Sequence, residues 1–283
     1  MQAGGGRTIR TLALGPDDGT PVLWHHGNPG SRVPPVAADV LEDVGVRLIT
    51  YDRPGGGRST PSPGRVVADG GRDAQLIADA WGVHRLATAG ISGGGAFALA
   101  TAAALPGRVT AAAVLSGAAP SDAEGLDFTA GMTANNAGAA EEGAREVDRR
   151  AALAEMEPVR RAILDDPVAA LRGFAEEFSH ADRAALDRPD VRDPIAAGMA
   201  ECLRVSGEGW LDDSLAFARP WGFDVAAIRV HVEIWHGRED TASPFAHARW
   251  LAGRVPGAEL HELDGGHYAP LLVLPTILGR LAA

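Results

Sequence analysis

The chain has 283 residues, of which 46% are hydrophobic, and its formal charge at pH 7 is −11. This length and apolar content suit an α/β fold with one large core and an insertion, so two separate domains are not required. The acidic balance and the lack of a long run of lysine or arginine exclude nucleic acid and anionic membranes as expected partners.

Targeting and redox signals in the sequence both indicate a cytoplasmic protein. The first residues, MQAGGGRTIRTLAL, contain no apolar stretch as long as that of a secretory signal. No window approaches the roughly 18 consecutive apolar residues of a membrane span. A single cysteine, Cys202, forms neither an internal disulfide nor a thiolate metal cluster, which agrees with a reducing compartment.

Short apolar runs alternate with helical patterns through the first 120 residues. Strands are predicted at 8–14 and 21–26, and the Asp-Gly turn signal between them predicts that they pair as an antiparallel hairpin. Three further apolar runs, separated by helical patterns, are predicted as strands at 46–51, 85–91 and 109–117. The alternation predicts a mostly parallel sheet with both faces covered.

The pattern changes between about residue 120 and residue 222, where no strand pattern occurs and alanine and acidic residues accumulate. We therefore predict an α/β core over 1–120 and 223–283, interrupted by a helical cap over 121–222. Open α/β sheets bind ligands beyond the carboxyl ends of their strands, so we expect the cap to lie there.

The alternation of strands and helices resumes after the predicted cap. Strands are predicted at 230–237 and 258–264. A helix is predicted near 244–252, and a closing helix from about Pro270.

The stretch AGISGGG, residues 89–95, places Ser92 in a G-x-S-x-G pattern between a predicted strand and a predicted helix. Such a turn holds a serine in strained geometry with its hydroxyl exposed above the sheet. Gly90 and Gly94 are expected where strand and helix cross too closely for a Cβ atom, and the Gly93 N–H is expected to face a developing oxyanion. A glycine-rich turn with an incidental serine is the structural alternative. A phosphate-binding loop is disfavoured because no Lys-Ser or Lys-Thr pair follows.

A nucleophilic serine needs a base to take its proton and a carboxylate to orient that base. Of the nine histidines, His267 follows the last predicted strand in a glycine-bearing loop and is the candidate base, with His236 as second choice. The loop WHGREDTASP offers Glu239 and Asp240, and we prefer Asp240 because its shorter side chain suits a rigid loop. Ser92, Asp240 and His267 then follow the order expected of successive strand ends.

A second oxyanion donor is expected from the loop after an early strand, HHGNPGSR, residues 25–32. A tight turn at His26 and Gly27 would aim the backbone N–H of Asn28 at the point that the Gly93 N–H faces. The backbone N–H groups of Asn28 and Gly93 are therefore the predicted oxyanion hole.

Five loop motifs occur in chain order: HHGNPGS (25–31), YDRPGGGRS (51–59), GISGGG (90–95), HGREDTASP (236–244) and GGHY (265–268). Together they resemble the α/β-hydrolase superfamily, in its serine-nucleophile branch, over nearly the whole chain. The resemblance implies an eight-stranded, mostly parallel sheet flanked by helices, a helical cap, and no metal or organic cofactor. It also implies the roles of the site residues: Ser92 as nucleophile, Asp240 as acid, His267 as base, and Asn28 and Gly93 as oxyanion donors.

The motifs predict a serine hydrolase that cleaves an ester, lactone or thioester of a small, largely apolar molecule through an acyl-enzyme. Ser92 disfavours dehalogenase and epoxide hydrolase chemistry, for which relatives of this fold use an aspartate. Small-ligand binding with a silent triad, and cofactor-free lyase or oxygenase chemistry, stay open, as do the exact substrate and the oligomeric state.

The H-G-x-P-G string also resembles proline iminopeptidases, although these usually carry a bulky residue where this chain has Gly93. Glutamates of the predicted cap are the candidates to bind a substrate amine in that case, and solvated helix faces are their structural alternative: Glu141, Glu142, Glu146, Glu176 and Glu177.

Overall fold

A computed structural model describes residues 1–2, 6–143, 145 and 147–283 of the chain. The alternation of apolar runs and helical patterns produces one sheet with helices on both faces, as predicted. The strands are β1 (Thr11–Leu14), β2 (Thr20–His25), β3 (Val46–Tyr51), β4 (Leu86–Ile91), β5 (Val109–Leu115), β6 (His231–Gly237) and β7 (Glu259–Leu263).

The spatial order of the strands is β1-β3-β2-β4-β5-β6-β7. All neighbouring pairs are parallel except β1 and β3, which are antiparallel. Parallel strands place their carboxyl ends at one edge of a sheet, so the loops that follow β2, β3, β4, β6 and β7 gather at that edge.

The predicted hairpin between 8–14 and 21–26 is wrong. β1 pairs with β3 instead, and β3 lies between β1 and β2. The Asp-Gly signal reports only a local turn, whereas strand pairing is decided by burial. The second half of β2 is buried on both faces, which suits a central position between two parallel strands rather than the edge of a hairpin.

The sheet has seven strands in the described residues, where the family resemblance implied eight. Ahead of β1, the described residues form one isolated antiparallel bridge, between Gln2 and Thr8. The described part of this segment therefore contributes a single bridge and no eighth strand.

Twelve α-helices occur in the described ranges, and none of them is both long enough and apolar enough to cross a membrane. They are α1 (Ala38–Asp43), α2 (Asp69–Ala80), α3 (Gly93–Ala104), α4 (Ala134–Gly143), α5 (Arg149–Asp165), α6 (Pro167–Phe174), α7 (His180–Ala185), α8 (Pro189–Leu203), α9 (Glu208–Phe217), α10 (Phe245–Arg254), α11 (Ala269–Leu272) and α12 (Leu274–Ala282).

Two apolar layers cover the sheet, and the strands supply both by alternation. In β2, Leu23 belongs to the apolar cluster on one face, which also includes residues of α2, α3 and α10. Val22 and Trp24 pack with Leu41 of α1 and Ile277 of α12 on the other. Burial of side chains on both faces explains why the strand sequences are continuously apolar.

Residues 116–230, called the helical segment below, connect β5 to β6. Their described part contains α4 to α9 and two short 3₁₀ turns, with no strand. The segment has its own apolar cluster, which includes Ile163, Leu171 and Leu203. The domain boundaries at residues 121 and 222 stay a prediction.

Candidate active site

The turn between β4 and α3 holds Ser92 in an unusual backbone conformation. Its φ is 55° and its ψ is −128°, in a region that side-chain-bearing residues rarely adopt. Hydrogen bonds fix the turn: the Ser92 N–H donates to Leu115 O at 2.8 Å, and the Gly95 N–H donates to Ser92 O at 2.9 Å. Strain of this kind costs about 1–3 kcal/mol and persists where surrounding structure imposes it. The strained strand-to-helix turn predicted from the sequence is thus present.

The glycines around Ser92 are required by close contacts. A Cβ atom at Gly90 would overlap the carbonyl of Gly94, and one at Gly94 would overlap the carbonyls of β2 and of the loop after it. A Cβ atom at Gly93 would overlap the ring of Phe217 on α9. The predicted close crossing of strand and helix is therefore confirmed. At Gly93 the close contact comes from the helical segment, through Phe217.

Asp240 and His267 form a buried hydrogen-bonded pair at the same edge of the sheet. Nδ1 of His267 lies 2.8 Å from Oδ2 of Asp240. The other oxygen of Asp240 accepts from the N–H groups of Ala242 and Ser243, each at 2.8 Å. With both oxygens fixed, the carboxylate orients the ring so that Nε2 is the nitrogen left for chemistry.

The environment of this pair favours a charged carboxylate and a basic ring. Burial alone would raise the pKa of Asp240, but the charge of His267 and hydrogen bonds from His236 and His267 hold it well below its usual range. Burial alone would lower the pKa of His267, but the charge and hydrogen bond of Asp240, with a further charge from Asp182, raise it.

The two runner-up residues take other positions. Nε2 of His236 lies 2.6 Å from Ser243 O and 3.1 Å from Oδ2 of Asp240, so this fully buried ring supports the acid loop rather than facing Ser92. Glu239 is exposed to solvent. Of the two adjacent acids, only Asp240 contacts a histidine ring.

Ser92 and His267 approach the same edge from strands β4 and β7, but they are not hydrogen-bonded. In the described part of the chain, the Ser92 hydroxyl makes no hydrogen bond and Nε2 of His267 has no partner. Nucleophile and base are often farther apart before a substrate binds than in the reacting complex. The structure therefore shows the acid–base half of the predicted triad as a formed pair.

The two predicted oxyanion donors lie in the loop after β2 and directly after Ser92 in the chain. Neither Asn28 nor Gly93 donates a backbone hydrogen bond within the described residues. A Cβ atom at Gly27 would lie 3.7 Å from the Cβ atom of Ser92, so the loop after β2 lies directly against Ser92. The Asn28 side chain is itself anchored, since its amide donates to the hydroxyl of Ser214 on α9 at 3.1 Å.

Arg53, in the loop after β3, holds the loop after β2 by hydrogen bonds to its backbone. Its two terminal nitrogens donate to the carbonyl oxygens of His26 and Gly27, each at 2.7 Å. Nε donates to Asp213 of α9 at 2.8 Å, and the guanidinium lies 4.7 Å from the centre of the Phe97 ring. A planar cation with several donors can fix two adjacent carbonyls in this way.

The support continues through a buried charge network on α9. Arg65 donates to Asp213 at 2.6 Å and lies 3.3 Å from Asp212, which also pairs with Arg149. No sequence pattern predicted a role for Arg53 or for either aspartate. Arg53 lies within the motif YDRPGGGRS, where an arginine between a buried strand and a glycine loop is the available signal.

A family model for the α/β hydrolase fold matches residues 20–272 of the chain. The chain belongs to this family. The α/β hydrolase resembles, at 28% identity over 93% of its own chain and 90% of the relative, a protein named non-heme chloroperoxidase from Streptomyces lividans.

Solved structures of other α/β hydrolases show the same fold. A thermophilic esterase from Thermogutta terrifontis gives a TM-score of 0.69 at 20% identity, covering 100% of this chain and 97% of that one. An enol-lactonase from Burkholderia xenovorans LB400 gives a TM-score of 0.68 at 18% identity, covering 98% and 95%.

Proposed function

We propose that this α/β hydrolase is a serine esterase that cleaves an ester, lactone or thioester of a small, largely apolar molecule through an acyl-enzyme. The proposal is carried by one observation: the buried 2.8 Å pair of Asp240 and His267, placed at the same sheet edge as Ser92 in its strained turn. An oriented base and a serine held in a strained turn at the sheet edge are what nucleophilic attack on a carbonyl requires.

The proposed reaction has two halves. Ser92 Oγ attacks the carbonyl carbon while Nε2 of His267 takes the hydroxyl proton, and the new oxyanion accepts hydrogen bonds from the N–H groups of Asn28 and Gly93. The C–O bond to the leaving alcohol then breaks, and His267 returns its proton to that oxygen. In the second half, water gives a proton to His267 and attacks the acyl carbon. The bond between that carbon and Ser92 Oγ then breaks, His267 returns the proton to Oγ, and the acid is released.

The charges of the site suit these steps. Asp240 stays ionised because its pKa is held low, so it stabilises the imidazolium that forms at each proton transfer. Each oxyanion donor of this kind typically contributes about 10²–10³ in rate. The free N–H groups of Asn28 and Gly93 are available for that purpose.

Aromatic side chains of the helical segment support an apolar substrate. The ring of Phe178 packs edge-on against that of His267, with 5.8 Å between their centres. Phe217 of α9 packs against Gly93. A carbonyl held between Ser92 and His267 would therefore have aromatic rings nearby, one beside His267 and one beside Gly93.

Peptide cleavage with recognition of a substrate amine has less support. Four of the five glutamates considered for that role, Glu141, Glu142, Glu176 and Glu177, are exposed, and Glu146 lies outside the described residues. Glu177 bonds the Asn135 amide at 2.7 Å. Exposed carboxylates of this kind are typical of solvated helix faces.

A second candidate function follows from the name of the Streptomyces lividans relative, non-heme chloroperoxidase. Hydrogen peroxide attacking the proposed acyl-enzyme in place of water would release a peracid and regenerate Ser92. The test compares two rates on an acetate ester in the presence of peroxide: the rate of peracid formation and the rate of hydrolysis. Their ratio gives the fraction of acyl-enzyme that reacts with peroxide.

The proposed function is tested with acyl esters of graded chain length, alongside lactones, thioesters and aminoacyl anilides. We expect ester turnover to exceed anilide turnover and to be lost in Ser92→Ala. Preferential anilide cleavage would favour the peptidase alternative. Products that lack the acid, or that form without an acyl-enzyme, would favour lyase or oxygenase chemistry, and no turnover in any series would favour a binding protein.

A further inference from the structure

We propose that Asp182, on helix α7, is a positioning residue for the candidate base: it holds the backbone of the histidine loop and supplies a second negative charge to the His267 site. The inference rests on the proposed function, because it assigns a role within the same triad. Asp182 belongs to the helical segment, which the sequence separates from His267 by 85 residues.

Asp182 has no exposed surface, and both of its carboxylate oxygens accept hydrogen bonds. Oδ1 accepts from the Tyr268 N–H at 2.8 Å, and Oδ2 accepts from the Ser179 hydroxyl at 2.9 Å. The Ser179 oxygen accepts from the Asp182 N–H at 3.1 Å, so its hydroxyl hydrogen is available to the carboxylate. Within the described residues, both oxygens of Asp182 thus serve as acceptors.

The backbone on both sides of His267 depends on this one side chain. The hydrogen bond from Tyr268 fixes the amide that follows His267. A Cβ atom at Gly266, the residue before His267, would overlap the Asp182 carboxylate and the Ser179 hydroxyl. Gly266 therefore lets the carboxylate pack directly on the loop that carries the base.

The titratable groups around His267 come from four places. Asp240, in the loop after β6, bonds Nδ1, while His236 of β6 contacts Asp240. Tyr268 is the neighbour in the chain, with its ring 5.6 Å from the His267 ring, and Asp182 comes from α7. No arginine or histidine forms an ion pair with Asp182 in the described ranges, so its charge acts on the site without a local counter-ion.

The second carboxylate makes His267 a stronger base than Asp240 alone would. Burial lowers the pKa of His267, and the charge and hydrogen bond of Asp240 and then the charge of Asp182 raise it. The base must be neutral to take the proton of Ser92, so activity rises with pH through the pKa of His267. Removing the charge of Asp182 should therefore move the acid limb of the pH profile to lower pH.

The test is an NMR titration of the His267 ring in the full chain and in Asp182→Asn, with the pH profile of kcat/KM for an ester. The asparagine oxygen still accepts from the Tyr268 N–H, so the change removes charge and keeps the anchor. We expect the pKa of His267 and the acid limb of the profile both to fall by roughly 0.5–1 unit.

Two control variants separate charge from structure. Ser179→Ala removes a hydrogen bond from the same cluster but keeps the charge. Asp187→Asn removes an exposed carboxylate of the same segment, which pairs with Arg172 at 3.1 Å. Both should leave the pKa of His267 unchanged. Asp182→Ser, a smaller uncharged acceptor, carries the same expectation as Asp182→Asn and replaces it if that variant does not fold.

An unchanged pKa of His267 in a folded, uncharged variant would overturn the proposal. So would a loss of kcat/KM that is equal at every pH, because a purely structural role moves no titration. A fall in the pKa of His267 by NMR, in a protein that hydrolyses no ester, would support the role of Asp182 and refute the proposed function.

Discussion

Nε of Arg53 lies 2.8 Å from Oδ2 of Asp213, and both side chains are almost fully buried. The pair joins the loop after β3 to helix α9, and Arg53 at the same time holds two carbonyls of the proposed oxyanion loop. Removing one partner of a buried ion pair leaves the other charge uncompensated, which typically costs about 3–5 kcal/mol. The position of the oxyanion donors is therefore coupled to the helical segment.

Arg53→Lys should lower kcat about 10- to 100-fold with a smaller change in KM, because an ammonium group lacks the planar fork that bonds two carbonyls and a carboxylate together. The measurement is steady-state ester hydrolysis with the inhibition constant of an alkyl boronic acid, whose tetrahedral adduct uses the oxyanion hole. The kcat for the ester and the affinity for the boronic acid should fall in parallel. An unchanged boronic acid affinity would show that Arg53 does not position the donors.

Gly93→Ala should lower the free energy of unfolding by about 1–3 kcal/mol, because its methyl group would overlap the Phe217 ring. In a Phe217→Ala background the same change should cost much less, since the overlapping ring is gone. Urea denaturation of the wild type, the two single variants and the double variant gives the coupling free energy between residues 93 and 217. Gly138→Ala on α4, where a Cβ atom meets nothing within 4 Å, is the matched control. Additive effects would contradict the contact.

Ser92→Gly should be more stable than Ser92→Ala by about 1 kcal/mol, because glycine adopts a φ of 55° without the cost that a Cβ atom brings. Both variants lack the hydroxyl, so the comparison isolates backbone strain from lost side-chain contacts. Unfolding free energies from urea titrations decide the question. Equal stability would mean that the turn stores no strain at Ser92.

Asp240→Asn should lower kcat on the order of 10⁴-fold, because an amide that donates to Nδ1 leaves His267 in the tautomer that cannot accept the Ser92 proton. Glu239→Gln, an exposed neighbour, is the matched control and should keep full activity. The kcat of the two variants on one ester is the measurement. Comparable losses in both would contradict the assignment of the acid.

The pH profile of the wild-type enzyme follows from the same pair. The pKa of His267 is raised, so the ring is protonated and inactive as a base below a pH that lies above its ordinary value of 6.5. We expect kcat/KM to fall as the pH drops through that point. A profile whose acid limb lies below the ordinary histidine value of 6.5 would contradict the raised pKa.

The elements that the sequence predicted well are those whose determinants are local. The serine turn is signalled by the G-x-S-x-G spacing within residues 90–95, and the acid and histidine loops each follow an apolar run that reads as a strand. The hairpin failed because the partner of β1 is residues 46–51, more than thirty positions away, and no local signal encodes that pairing.

The supporting residues were missed for a similar reason. Asp182 and Asp213 lie in helices of the helical segment, where an acidic residue reads as part of a solvated face. Both are buried, because tertiary packing brings each against a site loop. Hydrophobic periodicity and sequence motifs therefore could not predict the polar contacts between the helical segment and the site.

We propose above all that His267, oriented by Asp240, activates Ser92 as a nucleophile. The most direct test is the rate at which a fluorophosphonate labels the protein, with the adduct located by peptide mass spectrometry. We expect one adduct, on Ser92, and a labelling rate that falls at least about 10³-fold in His267→Ala. No adduct on the folded protein, an adduct on another residue, or an equal rate in His267→Ala would contradict it.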